Sequence, residues 1–292
     1  MKKLVLLVGI VVIGLMGLGI TPARAYTIDG LLGDWGVELS NPQALIRGYL
    51  NNHLPSGGLD IDYLPTEDNA GSKDESGNDL PSGFYTVGPG STYRGTFTKN
   101  GNTYTDNGNE FDVEAIYFDN DQYNAYIAVV QGLPITGATA PGNPWFLPGD
   151  IAIDADNNLS TGEYGFEYGL NILNSHLYSV SDWESVNYFP TSNPWKILSG
   201  SDLGGVSFVY SAYQNTHYVL EASIPLNLLG LSGNPGDPIH PLKIHWTQQC
   251  GNDYLNLSAD VNPVPEPNSL VLLVTGLFGL AGFLHTKIGL KL

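Results

Sequence analysis

The stretch Phe111-Asp-Val-Glu-Ala-Ile-Tyr-Phe118, the break Asp119-Asn120-Asp121, and the run Asn124-Ala-Tyr-Ile-Ala-Val-Val-Gln131 decide the fold class. Two runs rich in aromatic and β-branched residues, separated by turn-forming Asp and Asn, predict an antiparallel hairpin. Working outward, the same texture recurs at 150–154, 167–173, 177–180, 206–212, 217–223 and 242–248. Before the hairpin, the alternation Ile28, Gly30, Leu32 predicts a short half-buried strand ending in a turn at Gly33. Residues 41–110 lack sustained periodicity and are crowded with Gly, Asn, Asp, Ser and Pro. They predict a long loop-rich insert with short strands near 59–64 and 92–98, and with Tyr49, Tyr63, Phe84, Tyr85, Tyr93, Phe97 and Tyr104 to bury. A helical turn is expected only at 227–231, after Ile224-Pro225. Closely spaced short strands without intervening helices predict an all-β protein, an antiparallel β-sandwich ectodomain. The 36 Gly and 19 Pro suit that turn-rich architecture, and Trp35 and Trp246 follow strand patterns and are expected in its core.

Charge narrows the partners. Between residues 26 and 263 there are six basic residues (Arg47, Lys73, Arg94, Lys99, Lys196, Lys243) against 28 of the 29 acidic ones, a formal charge of −22. A surface of that sign repels phosphate backbones and excludes nucleic acid as a partner. The single cysteine, Cys250, rules out a scaffold held by internal disulfides.

The two ends carry targeting information. Lys2 and Lys3 precede an apolar run from Leu4 to Ile20, and Ala23-Arg24-Ala25 follows. This is the three-part layout of a secretory signal helix over 1–25, with cleavage after Ala25. At the other end Val264-Pro265-Glu266-Pro267 precedes the uncharged run 268–284, then His285, Lys287 and Lys291. Seventeen residues is the lower limit for one transmembrane helix, and the lysines beyond it would stay on the cytoplasmic side. The expected organisation is a signal peptide (1–25), an ectodomain (26–263) and a C-terminal segment (264–292) with one membrane span at 268–284.

The last 29 residues resemble the PEP-CTERM sorting signal of bacterial surface and exopolysaccharide-associated proteins. The likeness rests on Val264-Pro265-Glu266-Pro267, the glycines Gly276, Gly279 and Gly282 of the span, and the trailing positive charge. It implies a membrane-embedded cysteine protease, an exosortase, as a processing partner. It also implies export through the inner membrane, transient anchoring by the C-terminal helix, and a final place at the cell surface or in the extracellular matrix. The family's Arg cluster is reduced here to Lys287 and Lys291 with His285.

Ile28-Asp29-Gly30 with Asp34-Trp35, Glu114-Ala115-Ile116-Tyr117 with Ala125-Tyr126-Ile127-Ala128-Val129, Gly149-Asp150-Ile151-Ala152-Ile153-Asp154, and Glu221-Ala222-Ser223-Ile224-Pro225-Leu226 form ordered blocks. They resemble those of family-9-like carbohydrate-binding modules, β-sandwiches related to the DOMON group. The 41–110 insert departs from that compact module. The resemblance implies polysaccharide as a ligand.

Two constellations offer chemistry. Asp154, Asp156, Asn158 and Ser160 are spaced by two, with Asp150 nearby, as in loops that wrap Ca²⁺ with hard oxygen ligands, and Glu163 or Glu167 supplies a late carboxylate. The stretch is not an EF-hand: Leu159 stands at the turn glycine and Gly165 at the twelfth position. An acidic hairpin tip closed by Asx turns, without metal, fits the same residues. The second constellation is Trp145, Trp183 and Trp195, in Pro-, Asn- and Ser-rich stretches where a flat ring can stack on a sugar or anchor a loop. Catalytic motifs such as His-Glu-x-x-His and Gly-x-Ser-x-Gly are missing, and Cys250 suits a small buried residue better than a nucleophile. The expectation is a non-catalytic, exosortase-processed surface or matrix protein that binds carbohydrate. The alternatives are a glycan-acting hydrolase and a purely structural surface protein.

Overall fold

The structure is a computed structural model, and it describes residues 26–37, 61–65, 96–99, 102–105, 111, 113–139, 145–213, 217–251 and 253–264. The expected signal helix with Ala25, the transmembrane helix 268–284, the processing residues Pro265, Glu266 and Pro267, and most of the 41–110 insert lie outside the described residues. Among the described residues no helix is long and apolar enough to cross a membrane.

The central hairpin is β4 (Val113–Asn120) paired with β5 (Asn124–Gln131). β5 is buried along nearly its whole length. Its odd residues Ala125, Ile127 and Val129 enter the main core cluster, while Tyr126, Ala128 and Val130 enter a second one on the opposite face. A near-continuous apolar run is what a strand covered on both faces requires. In β4 the register slips between Val113 and Ala115, so Val113 joins Ile116 and Phe118 in the main core although its number is odd. One extra residue in a strand reverses the face of everything beyond it.

Around this pair stands a five-stranded antiparallel sheet in the order β1-β4-β5-β13-β12, with β1 at Asp62–Pro65, β12 at Ser207–Tyr213 and β13 at His217–Pro225. A six-stranded antiparallel sheet runs β11-β10-β9-β8-β14-β15. Its strands are β8 (Ile151–Asp154), β9 (Tyr168–Asn171), β10 (His176–Glu184), β11 (Lys196–Gly205), β14 (His240–Thr247) and β15 (Tyr254–Val261). Two small hairpins complete the set, β2 (Thr96–Lys99) with β3 (Asn102–Thr105), and β6 (Ala138–Thr139) with β7 (Trp145–Phe146). The described chain is thus all-β and antiparallel, with 3₁₀ turns at Pro190–Ser192 and Leu226–Leu229. The main apolar cluster takes residues from both large sheets: Ile116, Ile127 and Leu220 from one, and Ile151, Leu170, Ile244 and Leu257 from the other.

The short strands β3, β6 and β7 lie outside the predicted set, as do two strands of the six-stranded sheet, β11 and β15. β11 is an edge strand in which Ser, Gly and Asp outnumber Ile197, Leu198 and Leu203 and no residue is fully buried, so its sequence carries little apolar signal. β15 alternates Leu255, Leu257, Ala259 and Val261 inward with Asn256, Ser258 and Asp260 outward.

The predicted strand at 28–32 is not formed. Residues 26–37 run as bends and turns over the second face of the five-stranded sheet, burying Tyr26, Leu32, Trp35 and Val37 against Tyr117, Tyr126, Ala128 and Val130. The N–H groups of Asp29 and Gly30, which a ladder would have used, donate instead to the carboxylate of Glu221 at 3.1 and 2.5 Å. At the other end Asn262 and Asn120 exchange two hydrogen bonds, and the Val264 N–H reaches the Gly233 carbonyl at 2.9 Å.

Candidate metal centre

The site grows out of the β8–β9 hairpin. Ile151 and Ile153 face the core, so alternation turns Ala152 and Asp154 to the outer face of the six-stranded sheet. There Asp154 is covered by the connecting residues 155–167, and it is 0% exposed. The β8–β9 register pairs Ile153 with Tyr168. Continued by one step, it sets Asp154 beside Glu167.

Short polar bonds shape the connection. The Asp156 side chain accepts the Asn158 N–H at 3.0 Å, and the Asn158 side chain accepts the Ser160 N–H at 3.1 Å, two successive Asx turns. Gly162 is left-handed at φ 66°, where a Cβ would meet the Phe166 carbonyl. The Ala155 N–H donates to Glu167 Oε2 at 3.1 Å, closing the base of the loop.

One carboxylate oxygen each from Asp154, Asp156 and Glu167 lie within 4.8 Å of one another, and this group could hold a metal ion. Asp154 Oδ1 accepts the Asn158 N–H at 3.1 Å, whereas its Oδ2 is buried with no hydrogen-bond partner. Burial raises the Asp154 carboxyl above its ordinary value, and the charges of Glu167 and Asp156 add to that rise. A buried carboxylate oxygen without a donor is costly unless a cation or a proton meets it. The Thr161 hydroxyl oxygen stands among the same acceptors, 2.6 Å from Glu167 Oε1, 2.9 and 3.0 Å from the Asp156 oxygens and 2.7 Å from the Asn158 carbonyl. One hydroxyl carries one proton, so it cannot satisfy four acceptors fully.

Of the predicted ligands, Asp154 and Asp156 are brought together, with Asn158 in the same turn. Ser160 is exposed on that loop. Asp150 is not in the group: four residues of strand separate it from Asp154 by about 13 Å. Its carboxylate instead accepts the N–H groups of Ile172 (3.0 Å) and Ile197 (2.9 Å) and the Asn171 amide (3.3 Å), and burial pushes it up to about 6. Glu163 accepts the Trp183 backbone N–H at 2.6 Å, so Glu167 is the late carboxylate of the cluster. Of the two late carboxylates the sequence offered, hairpin register selects Glu167; Thr161 lies outside the spacing-by-two pattern and is brought in by the fold of the loop.

The tryptophans separate sharply. Trp145 is 54% exposed, with its indole N–H on the Thr136 carbonyl at 3.0 Å. Trp183 and Trp195 are 3% and 2% exposed, so in this structure they present no ring face to solvent and anchor their loops instead. Trp183 packs with Phe166, Val180 and Ala152, and its indole donates to the Phe166 carbonyl at 3.1 Å. Trp35 and Trp246 are fully buried, and Cys250 is buried too.

No protein-family model matches this chain, and no match was found among curated proteins or among solved structures.

Proposed function

We propose that this chain is an exported, non-catalytic β-sandwich protein of the cell surface or exopolysaccharide matrix, with Ca²⁺ bound by Asp154, Asp156 and Glu167. The observation that carries the cation reading is the buried, unpartnered Oδ2 of Asp154 within reach of two further carboxylates. Ca²⁺ suits a cluster of oxygen ligands without nitrogen or sulfur. The sandwich reading is supported by the apolar cluster that draws on both large sheets. The export and exosortase reading rests on residues 1–25 and 264–292.

Polysaccharide is the proposed ligand, and Trp145 is the one of the three loop tryptophans with a ring available to stack on it. The test is to incubate the mature exported protein with matrix polysaccharide, with and without Ca²⁺. Retention of the polymer without new reducing ends is the expected result. New reducing ends would make the protein a hydrolase, and neither retention nor product would make it a structural component.

A further inference from the structure

We infer that the cation is the clasp of a lid: with metal held by Asp154, Asp156 and Glu167, and by the Thr161 hydroxyl, the 155–167 loop closes over the apolar outer face of the six-stranded sheet, and removing the metal uncovers Trp183. This rests on the cation reading above and adds to it what occupancy controls.

The loop has two sets of attachments. On one side is the oxygen cluster, where three carboxylates converge and Asp154 Oδ2 is buried without a partner. On the other side the loop grips β10 and its extension. Glu163 accepts the Trp183 N–H at 2.6 Å, the Phe166 carbonyl accepts the Trp183 indole at 3.1 Å, and the Glu167 carbonyl accepts the Val180 N–H at 2.7 Å. Phe166 is the apolar plug, buried with Ala152, Val180 and Trp183, its ring centroid 5.4 Å from that of His245. Glu167 belongs to both sets, through its side chain at the cluster and its carbonyl at Val180.

Without a cation, three like charges drive Asp154, Asp156 and Glu167 apart. Asp154 at the end of β8 and Glu167 next to the start of β9 are set by hairpin register, whereas Asp156 moves only with the loop, so repulsion acts on the lid. A Ca²⁺ ion takes six to eight oxygens and reverses the sign of that force. The loop's own regular pairing is a bridge between Glu163 and Phe166, which offers little to hold it shut.

The experiment uses the full mature protein, Ca²⁺ alone as the ligand, and two readouts. Calorimetric titration reports whether Ca²⁺ binds. Amide hydrogen exchange, with Ca²⁺ and with a chelator, reports the lid at the Trp183 and Val180 amides, with Leu220 and Leu242 as core references. The expected result is saturable binding and at least tenfold faster exchange at Trp183 and Val180 on chelation, the core amides staying unchanged. Asp156→Asn should bind Ca²⁺ at least tenfold more weakly, and its exchange at Trp183 should no longer change between Ca²⁺ and chelator. Glu163→Gln should still bind Ca²⁺. If Ca²⁺ binds and the Trp183 and Val180 amides do not respond, or if all amides accelerate alike, the lid is wrong and the cation site stands. If no Ca²⁺ binds, both fall.

Discussion

Glu221 in β13 and Trp35 in the N-terminal segment, 186 residues apart, are joined by a 2.8 Å hydrogen bond from the indole Nε1–H to Oε1. The other oxygen of the same buried carboxylate receives the Asp29 and Gly30 N–H groups. One side chain therefore fastens the segment that seals the second face of the five-stranded sheet.

That arrangement predicts a pH dependence. Burial raises Glu221 from 4.5 to about 7, with the Asp34 charge adding to the rise and the bonds from Trp35, Gly30 and Asp29 opposing it. The folded state therefore holds the proton more tightly than the unfolded state. The contribution to stability is full below pH 4.5 and is lost as pH rises through about 7. Asp150 acts with the same sign from 3.8 to about 6. Thermal melts from pH 4 to 8 should show wild-type stability falling between about pH 4.5 and 7 and levelling off above, and a flatter profile in Glu221→Gln. Parallel profiles in that window would remove Glu221 as the source.

Calcium should raise the melting temperature by mass action. At one hundred times Kd the gain is about 2.7 kcal/mol, or roughly 5–10 °C for a domain of this size. Asp156 is exposed, so Asp156→Ala should abolish that rise while leaving the metal-free protein close to wild type. Screening of a −22 surface by divalent ions would persist in the variant. Equal Ca²⁺ and Mg²⁺ shifts in both proteins would point to screening and away from a site.

Gly162 sets the turn that returns the chain toward Glu167. Its positive φ, with the Phe166 carbonyl where a Cβ would stand, makes Gly162→Ala costly by about 1–2 kcal/mol. Calcium affinity should weaken in the same variant, since Thr161 and Glu167 flank the distorted turn. Denaturant melts and calcium titration on one preparation measure both effects.

Alanine replacements should divide the tryptophans. Trp183→Ala should cost about 3–5 kcal/mol by leaving a cavity under the loop, while Trp145→Ala should cost little, as its ring is largely in solvent. Any glycan affinity should show the opposite order, lost with Trp145 alone. Fluorescence titration with neutral glycans that is indifferent to Trp145→Ala would take stacking at this residue out of the proposal.

Sorting should depend on the tail. Replacing Glu266 should leave a slowly processed, membrane-retained form, and intact mass of the mature exported protein should lack Lys291 and Leu292. Their presence on the mature chain would exclude processing near the Val264 to Pro267 motif.

By itself the sequence determined that the described chain is all-β, because short runs rich in aromatic and β-branched residues, such as 124–131, are punctuated by turn residues. The acidic balance and the small-residue and proline motifs at the ends are equally local, so composition and spacing suffice to state them. Only the tertiary structure decided which acids meet. Glu167 reaches Asp154 through hairpin register, and Asp150, adjacent to the same strand, is drawn away to the N–H groups of Ile172 and Ile197. It also decided which tryptophans are covered, since the loop over Trp183 comes from residues 155–167. Residues 28–32 alternate as a strand would, yet their N–H groups are taken by Glu221, nearly two hundred residues away. Spacing along the chain records periodicity. Convergence of charge and the covering of a face depend on which strands pair and in which register, and distance in space is set there.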